Sequence, residues 1–437
     1  HRPKGHKNIG TGEFMDIVVK KSELIGEATT PPSKSYTHRA VIAGAFSPLA
    51  RIKNPLIAGD TIATLSFCHF LGAGMRRING GLLLGGANPQ KAEGYLYLAN
   101  SGTTLRIALG ILSLSTGSRY AVVDGDDSLR NRPNGQLVRA LDHLGADIRG
   151  YGDYQVPLWI KGVIKGGDIE IKAESSQFIS SLLFSLPLAH GDSILKVIST
   201  KSKPYIDITL HVLQESGIEI EVGEDQQIYH IPGDQQYCMR KFVIPADFSS
   251  ASYLIAAGFL AGKVKVNNIF NSMQGDKVIV DVAKGMGGRI KWEREKGVLT
   301  VERSQLERVD FDAGNSPDLV PAIAVLAAVA KGKSTIYNAG HLRMKEIDRL
   351  KGICQNLRAL GIDAKEKKDG MEIEGGTIEG GTVNSFGDHR MALAFSLLGL
   401  VADKGVVVKN AEAVSVSFPG FFDVLKSLGA NLSLRRA

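Results

Sequence analysis

FLGAGMR, residues 70–76, returns five more times along the chain in altered form: HLGADIR at 143–149, ESGIEIE at 215–221, GMGGRIK at 285–291, ALGIDAK at 359–365 and SLGANLS at 427–433. In each copy an amphipathic run ends at a glycine, Gly72, Gly145, Gly217, Gly287, Gly361 or Gly429. Glycine there fits a helix C-terminus that needs a positive φ. Strand-like alternation follows, as in IEIEVGEDQQIYHI from Ile218 and RIKWEREKGVLTVE from Arg289. The copies recur roughly every 70 residues, the mark of one structural unit used six times.

A second signature interleaves with the first. SKSYTHRAVIAGAF (33–46), NSGTTLRIALGILSLSTG (100–117), SSQFISSLLFSLPLAHG (175–191), DFSSASYLIAAGFLAG (247–262), NSPDLVPAIAVLAAVAKG (315–332) and GDHRMALAFSLLGLVADKG (387–405) each run from a polar start into a helix apolar on nearly every face. Helices of that kind are buried. The unit is therefore βαβαββ-like, with one buried and one amphipathic helix, and six units divide most simply into two domains of three. A length of 437 residues points to two domains as well. Each buried helix begins with Ser, Thr, Asn or Asp, and helix N-termini are where anions bind. If the buried helices of a domain run parallel, their N-termini converge on one face, and two such faces would enclose an anionic ligand pair.

Composition narrows the function classes. Residues 1–14 carry three basic groups and one acidic group without apolar periodicity, and are expected to be an added leader or a disordered arm before Met15. Without them the net charge falls from +7 to +5, an excess that suits a small anionic substrate. No long basic run with interleaved aromatics favours nucleic acid. The longest apolar runs, 319–330 and 391–402, are about half a bilayer span. Cys68, Cys238 and Cys354 are far apart in sequence and odd in number, so neither a disulfide framework nor a zinc site follows from them, and the expected compartment is the cytoplasm.

The polar starts carry a resemblance. SKSYTHR at 33–39, NSGTTLR at 100–106, RNRP at 130–133, SSQF at 175, SKPYIDIT at 202, NSMQGD at 271, PD at 317, LRMKEIDR at 342 and GDHRMA at 387 are similar, in order, to the 5-enolpyruvylshikimate-3-phosphate synthase family. The resemblance implies a two-domain inside-out α/β barrel. Three βαβαββ repeats per domain surround parallel buried helices, with two crossover strands between the domains. It places the first domain at 15–31 plus 245–437, the second at 32–244, and the active site in the cleft between them.

The implied chemistry is attack of the shikimate 5-hydroxyl on C2 of phosphoenolpyruvate, protonation at C3 and loss of phosphate, with no metal or redox cofactor. Such a reaction needs a base, an acid and cations around phosphates and carboxylates. By resemblance Asp318 is the base, although its position also fits a helix cap. Glu346, with Lys34 nearby, is the proton donor to C3, although Lys345, Glu346, Asp348 and Arg349 also fit a solvated helix face. Shikimate-3-phosphate is expected on Lys34, Ser35, Arg39, Ser175, Ser176, Gln177, Ser202, Tyr205, Asp318, His341 and Lys345. Phosphoenolpyruvate is expected on Lys34, Asn100, Gly102, Arg132, Gln177, Arg349 and Arg390, since arginine grips planar anions bidentately. Thr103 and Arg106 are expected to shape the loop, His389 to hold structure, and Asp60 and Asp247 to support the cleft.

Three positions depart from the family pattern. Val416 stands where a lysine that reaches phosphoenolpyruvate is usual, His341 where many relatives have Asn, and Ala99 where Gly is common. Two alternatives sharing the scaffold are weaker. The sister reaction on UDP-N-acetylglucosamine uses a Lys-Asn pair and a loop cysteine, whereas this chain has SKS at 33–35 and no cysteine between Asn100 and Gly152. A non-catalytic anion binder has no need of Lys34, Asp318, Glu346 and Arg390 together. The expected partners are the two small molecules alone, with neither nucleic acid nor membrane, and the expected state is a monomer.

Overall fold

A computed structural model describes residues 15–436, so the leader expected at 1–14 lies outside the described residues. The six polar-to-apolar segments form helices α1 (Lys34–Phe46), α2 (Gly102–Leu112), α3 (Ser176–Ser185), α4 (Phe248–Ala261), α5 (Val320–Val329) and α6 (His389–Leu398). Every residue of α4 and α6 is buried, as apolarity on all faces demands. Polar side chains start four of them. Ser33 accepts from the Tyr36 N–H, Ser175 from Gln177, Asp247 from Ser250, and Asp388 from Arg390 and Met391. The α2 N-terminus has no side-chain cap.

The six signature glycines all adopt positive φ, between 74° and 108°. Each closes a helix and turns the chain into a strand, a conformation that a Cβ would strain.

Among the described residues the strands form six four-stranded mixed sheets. Each sheet has one parallel pair at one edge and two antiparallel pairings, as in Asp310–Asp312, Lys333–Tyr337, Gly370–Glu374 and Asp363–Lys367. In four of the sheets the parallel step is made by the buried helix that lies between its two strands, whereas an antiparallel hairpin needs only a turn. The fold is thus mixed α/β, with small sheets against buried helices. No described helix is long and apolar enough to cross a membrane.

Three sheets take a strand from far along the chain. Met15–Lys20 pairs antiparallel with Val406–Lys409 and Asn431–Arg436. Leu24–Thr29 pairs parallel with Gly262–Asn267, and Lys241–Val243 pairs parallel with Ala50–Lys53. The buried apolar side chains accordingly fall into two clusters. One holds Ile17 to Ala28 and Ala246 to Leu432, the other Tyr36 to Ile244. The chain passes between them twice, and the two passages lie side by side. Pro32 bridges Ala246, Ser33 N donates to Pro245 O at 2.8 Å, and Asp247 N donates to Pro31 O at 2.9 Å.

Asp247 sits at this junction, 5% exposed, and its carboxylate serves both clusters: one oxygen accepts from Lys34 N at 3.0 Å, the other from Ser250 N at 2.8 Å. It joins the N-termini of α1 and α4. Asp247→Ala removes both acceptors and is expected to lower unfolding stability by about 1–3 kcal/mol. Urea unfolding checks this, and an unchanged midpoint would show that the junction does not depend on the carboxylate.

Candidate active site

The junction brings helix N-termini from both clusters around one cleft of about 1100 Å³, its open mouth included. Every residue expected to hold shikimate-3-phosphate lines it: Lys34, Ser35, Arg39, Ser175, Ser176, Gln177, Ser202, Tyr205, Asp318, His341 and Lys345. So do Asn100, Gly102, Arg132, Glu346 and Arg390. The lining carries six cations, Lys34, Arg39, Arg106, Arg132, Lys345 and Arg390, against four carboxylates, Asp60, Glu174, Asp318 and Glu346. That imbalance, in a partly buried site, suits a ligand with several negative charges.

Asp318 is the centre of the charge network. The helix-cap alternative does not hold, because Ser316 occupies the cap position and Asp318 follows Pro317 inside the turn. Its carboxylate instead accepts from Arg349 at 3.0 Å, Arg390 at 2.8 Å and the Tyr205 hydroxyl at 2.9 Å, with Lys345 at 3.9 Å. Burial pushes the carboxyl up, but Arg390, Lys345, Arg349 and Lys34 together outweigh it and hold Asp318 well below the usual range. Glu346 follows the same logic: burial raises it, and Arg349, Arg132, His389 and Lys34 lower it further, leaving it ionised. The solvated-face reading of 345–349 therefore fails. Lys345 and Glu346 face the cleft, and Arg349 is 1% exposed.

Arg349 itself does not line the cleft. Its guanidinium is taken by Asp388 at 2.7 Å, Glu346 at 2.6 Å and Asp318 at 3.0 Å. Asp388 is fully buried and also caps α6. Arg349 thus lies behind the two carboxylates and orients them. Arg39 is similarly spent, donating to Thr209 at 2.7 Å, to the Ser35 carbonyl at 2.9 Å and to Ser180 at 3.3 Å.

Other donors are free. Among the described residues no partner meets Nε or Nη1 of Arg390, Nε of Arg132, Nε of Arg106 or either ring nitrogen of His341. Buried donors are normally satisfied, so a group of orphans around one cleft marks the place of a ligand. The uncapped N-terminus of α2 adds backbone N–H groups. Gly102 there keeps room for two guanidinium groups: a Cβ would stand 2.6 Å from Arg106 Nη1 and 2.7 Å from Arg132 Nη1.

Arg106, Glu174, Met344 and His389 also face the cleft. Arg106, expected to shape the loop, lies one helical turn beyond Gly102 and donates to Gln177 Oε1 at 3.4 Å. Lys34 and Asp60 pair at 2.7 Å. The departures also find places. Ala99 has φ 48°, a left-handed conformation that costs a non-glycine residue about 1 kcal/mol or more, which explains glycine as the usual choice. Val416 is half-buried, its Cγ2 3.9 Å from where a Cβ on Gly59 would stand, at the helix start that carries Asp60.

His341 gives a direct check on the electrostatics. Burial, with Lys345 and Lys201 nearby, lowers its imidazole to about 4. The unfolded value is near 6.5, so between the two the proton binds the unfolded chain preferentially. Stability from this group is present above about pH 6.5 and is lost as pH falls toward 4. An NMR titration is expected to find a neutral ring down to about pH 4, and a midpoint near 6.5 would contradict its burial among cations.

The sequence matches the family EPSP synthase (3-phosphoshikimate 1-carboxyvinyltransferase) over residues 18–425. A relative from Archaeoglobus fulgidus, named 3-phosphoshikimate 1-carboxyvinyltransferase, is 58% identical over 419 residues, covering 96% of this chain and 99% of its own. One of the same name from Methanosarcina mazei is 43% identical over 427 residues, with 96% and 99% covered. Among solved structures, an EPSP synthase from Acinetobacter baumannii has a TM-score of 0.81 at 24% identity, covering 97% of this chain and all of its own. The enolpyruvyl transferase NikO from Streptomyces tendae has 0.79 at 18%, covering 98% of this chain and all of its own. At those identities the likeness is one of fold. With a family match along nearly its whole length and relatives this similar, the chain belongs to the EPSP synthase family.

Proposed function

We propose that this protein transfers the enolpyruvyl group of phosphoenolpyruvate to the 5-hydroxyl of shikimate-3-phosphate, releasing phosphate, as a step of the shikimate pathway. The observation that carries the reading is the cleft itself, where residues scattered from Lys34 to Arg390 meet around a buried carboxylate and a set of unpartnered cationic donors. The architecture we assign is the inside-out α/β barrel of two domains, 15–31 plus 245–437 and 32–244. It is supported by the two apolar clusters and the two chain passages between them.

Asp318 takes the proton of the 5-hydroxyl as the oxygen attacks C2, and Glu346, with Lys34 beside it, delivers a proton to C3. Glu346, a carboxylate after that transfer, then takes a proton back from C3 as the C2–O bond to phosphate breaks, and the proton held by Asp318 leaves with the phosphate. As the site stands, Asp318 is a weak base, because Arg390 and Lys345 hold it low. Substrate phosphates and carboxylates draw on the same cations, which frees Asp318 and raises its basicity when the substrates are bound. The same release raises Glu346 once phosphoenolpyruvate engages Arg132 and Lys34, so that it takes up the proton it then delivers.

Shikimate-3-phosphate occupies the side of Ser175, Ser176, Gln177, Ser202, Tyr205, His341 and Lys345, where hydroxyls and a neutral imidazole suit a polyol phosphate. Phosphoenolpyruvate occupies the side of Asn100, Gly102, Arg132 and Arg390. Arg349 acts there through the carboxylates it orients. The enzyme works as a monomer without metal or redox cofactor, every positioned group coming from one chain. It works in the cytoplasm, a compartment that retains charged phosphate esters.

Phosphate release from the purified protein given shikimate-3-phosphate and phosphoenolpyruvate, beside a reaction given UDP-N-acetylglucosamine, tests the assignment. Release with the shikimate ester alone is expected; silence from folded protein overturns it. Asp318→Ala is expected to lower kcat by about 10²-fold or more while shikimate-3-phosphate binding weakens far less. Equal losses in both would remove its role as base. Gly102→Ala, which crowds Arg106 and Arg132, is expected to raise KM for phosphoenolpyruvate by about tenfold or more with little change for the other substrate; kinetics with each substrate varied in turn decides it.

A further inference from the structure

Ser128 lies half-buried in the short helix Asp127–Arg130, bonded to two residues that line the cleft. None of the motifs read from the sequence includes it. Its hydroxyl accepts from Arg132 Nη2 at 3.3 Å and donates to the main-chain carbonyl of Glu346 at 3.1 Å. The same Arg132 nitrogen donates to Asn100 Oδ1 at 2.7 Å, and Asn100 Nδ2 donates to Asp126 at 2.9 Å. Asp126 in turn caps the helix that carries Ser128, accepting from Leu129 N at 2.8 Å. Asn100, Asp126, Ser128 and Arg132 therefore form one small network, all on the side of the cleft that belongs to the Tyr36–Ile244 cluster. Glu346 comes from the other side.

A hydroxyl has one proton and two lone pairs. With its proton committed to the Glu346 carbonyl, the Ser128 oxygen can only accept from Arg132, and the guanidinium can only donate. Both bonds run in one direction without competition. The link thereby spans the cleft at the place where a cation and a carboxylate from opposite sides come together.

We propose that Ser128 is a positioning residue of the reaction: its hydroxyl sets the Arg132 guanidinium and the Glu346 main chain in one register across the cleft. The proposal rests on the roles given above to Arg132 and Glu346. Binding of phosphoenolpyruvate to Arg132 and placement of the acid at C3 then become a single event, because the residue that steadies the first also anchors the second. Shikimate-3-phosphate, on the far side of the cleft, does not feel the link.

Steady-state kinetics with each substrate varied in turn tests this, using Ser128→Ala and Ser128→Thr beside Arg132→Ala and Glu346→Gln. Ser128→Ala is expected to raise KM for phosphoenolpyruvate about tenfold and to lower kcat, with KM for shikimate-3-phosphate changed less than about twofold. Ser128→Thr keeps the hydroxyl and is expected to restore both values to within about threefold of the parent. Parent-like kinetics in Ser128→Ala, an equal rise in both KM values, or failure of threonine to rescue would each overturn the proposal. Full activity in Arg132→Ala and Glu346→Gln would instead remove the roles on which it rests, so the two failures are told apart.

Discussion

One carboxylate holds the two halves of the molecule in register. Asp247 accepts from N–H groups in the first turns of two helices that belong to different apolar clusters, at a point where the chain crosses between them twice. Both crossing segments are short and hydrogen-bonded to each other, so neither can shift without the other. Because Asp247 fixes α1 and α4 start to start, their N-terminal ends meet at one place, and Lys34 and Ser35 enter the cleft directly beside the junction. The positive ends of helices on both sides then face a common space.

The cost of that convergence is visible in the charges. Asp318, Glu346, Asp388, Arg349, Arg390 and Lys345 are packed within contact of one another, mostly out of water. Networks of this kind stabilise a fold weakly, since desolvation offsets most of the attraction. What they do supply is a set of groups whose proton affinities depend on whether the neighbouring cations are occupied. Two residues near the cleft, Ala99 and Ser202, hold left-handed backbone at φ 48° and 61°, and Ser202 is kept there by its N–H donating to Gly314 O at 2.8 Å. Backbone strain of this sort persists where surrounding structure enforces it, and it gathers at sites of function.

Some of this was legible in the sequence. The six glycines announced themselves because positive φ after a helix is a local requirement, met by one residue type almost regardless of context. The buried helices were legible because apolarity on every face means burial for helices too short to cross a membrane. Arg349 was less so. Its charge and its place in a polar run said nothing about a burial set by Asp388, which arrives from a separate helix. The helix-cap alternative for Asp318 fitted the local sequence and failed because Arg349, Arg390 and Tyr205 reach it from elsewhere. Ser128 and Glu174 carried no local signal, since their significance comes from what the fold sets opposite them.

The double crossing nests one core inside the other, and this imposes an order on the chain as it leaves the ribosome. The inner core has every strand it needs once Lys241–Val243 has been made. The first two strands of the outer core, Met15–Lys20 and Leu24–Thr29, emerge before the other described strands, yet their partners begin only at Gly262 and Val406. For most of synthesis these two segments are unpaired edges held next to a core that can already close. Edges left open in that way invite pairing with the wrong chain. A slow passage of the ribosome through the second half of the message therefore lengthens the exposure of these two segments, while leaving the inner core untouched.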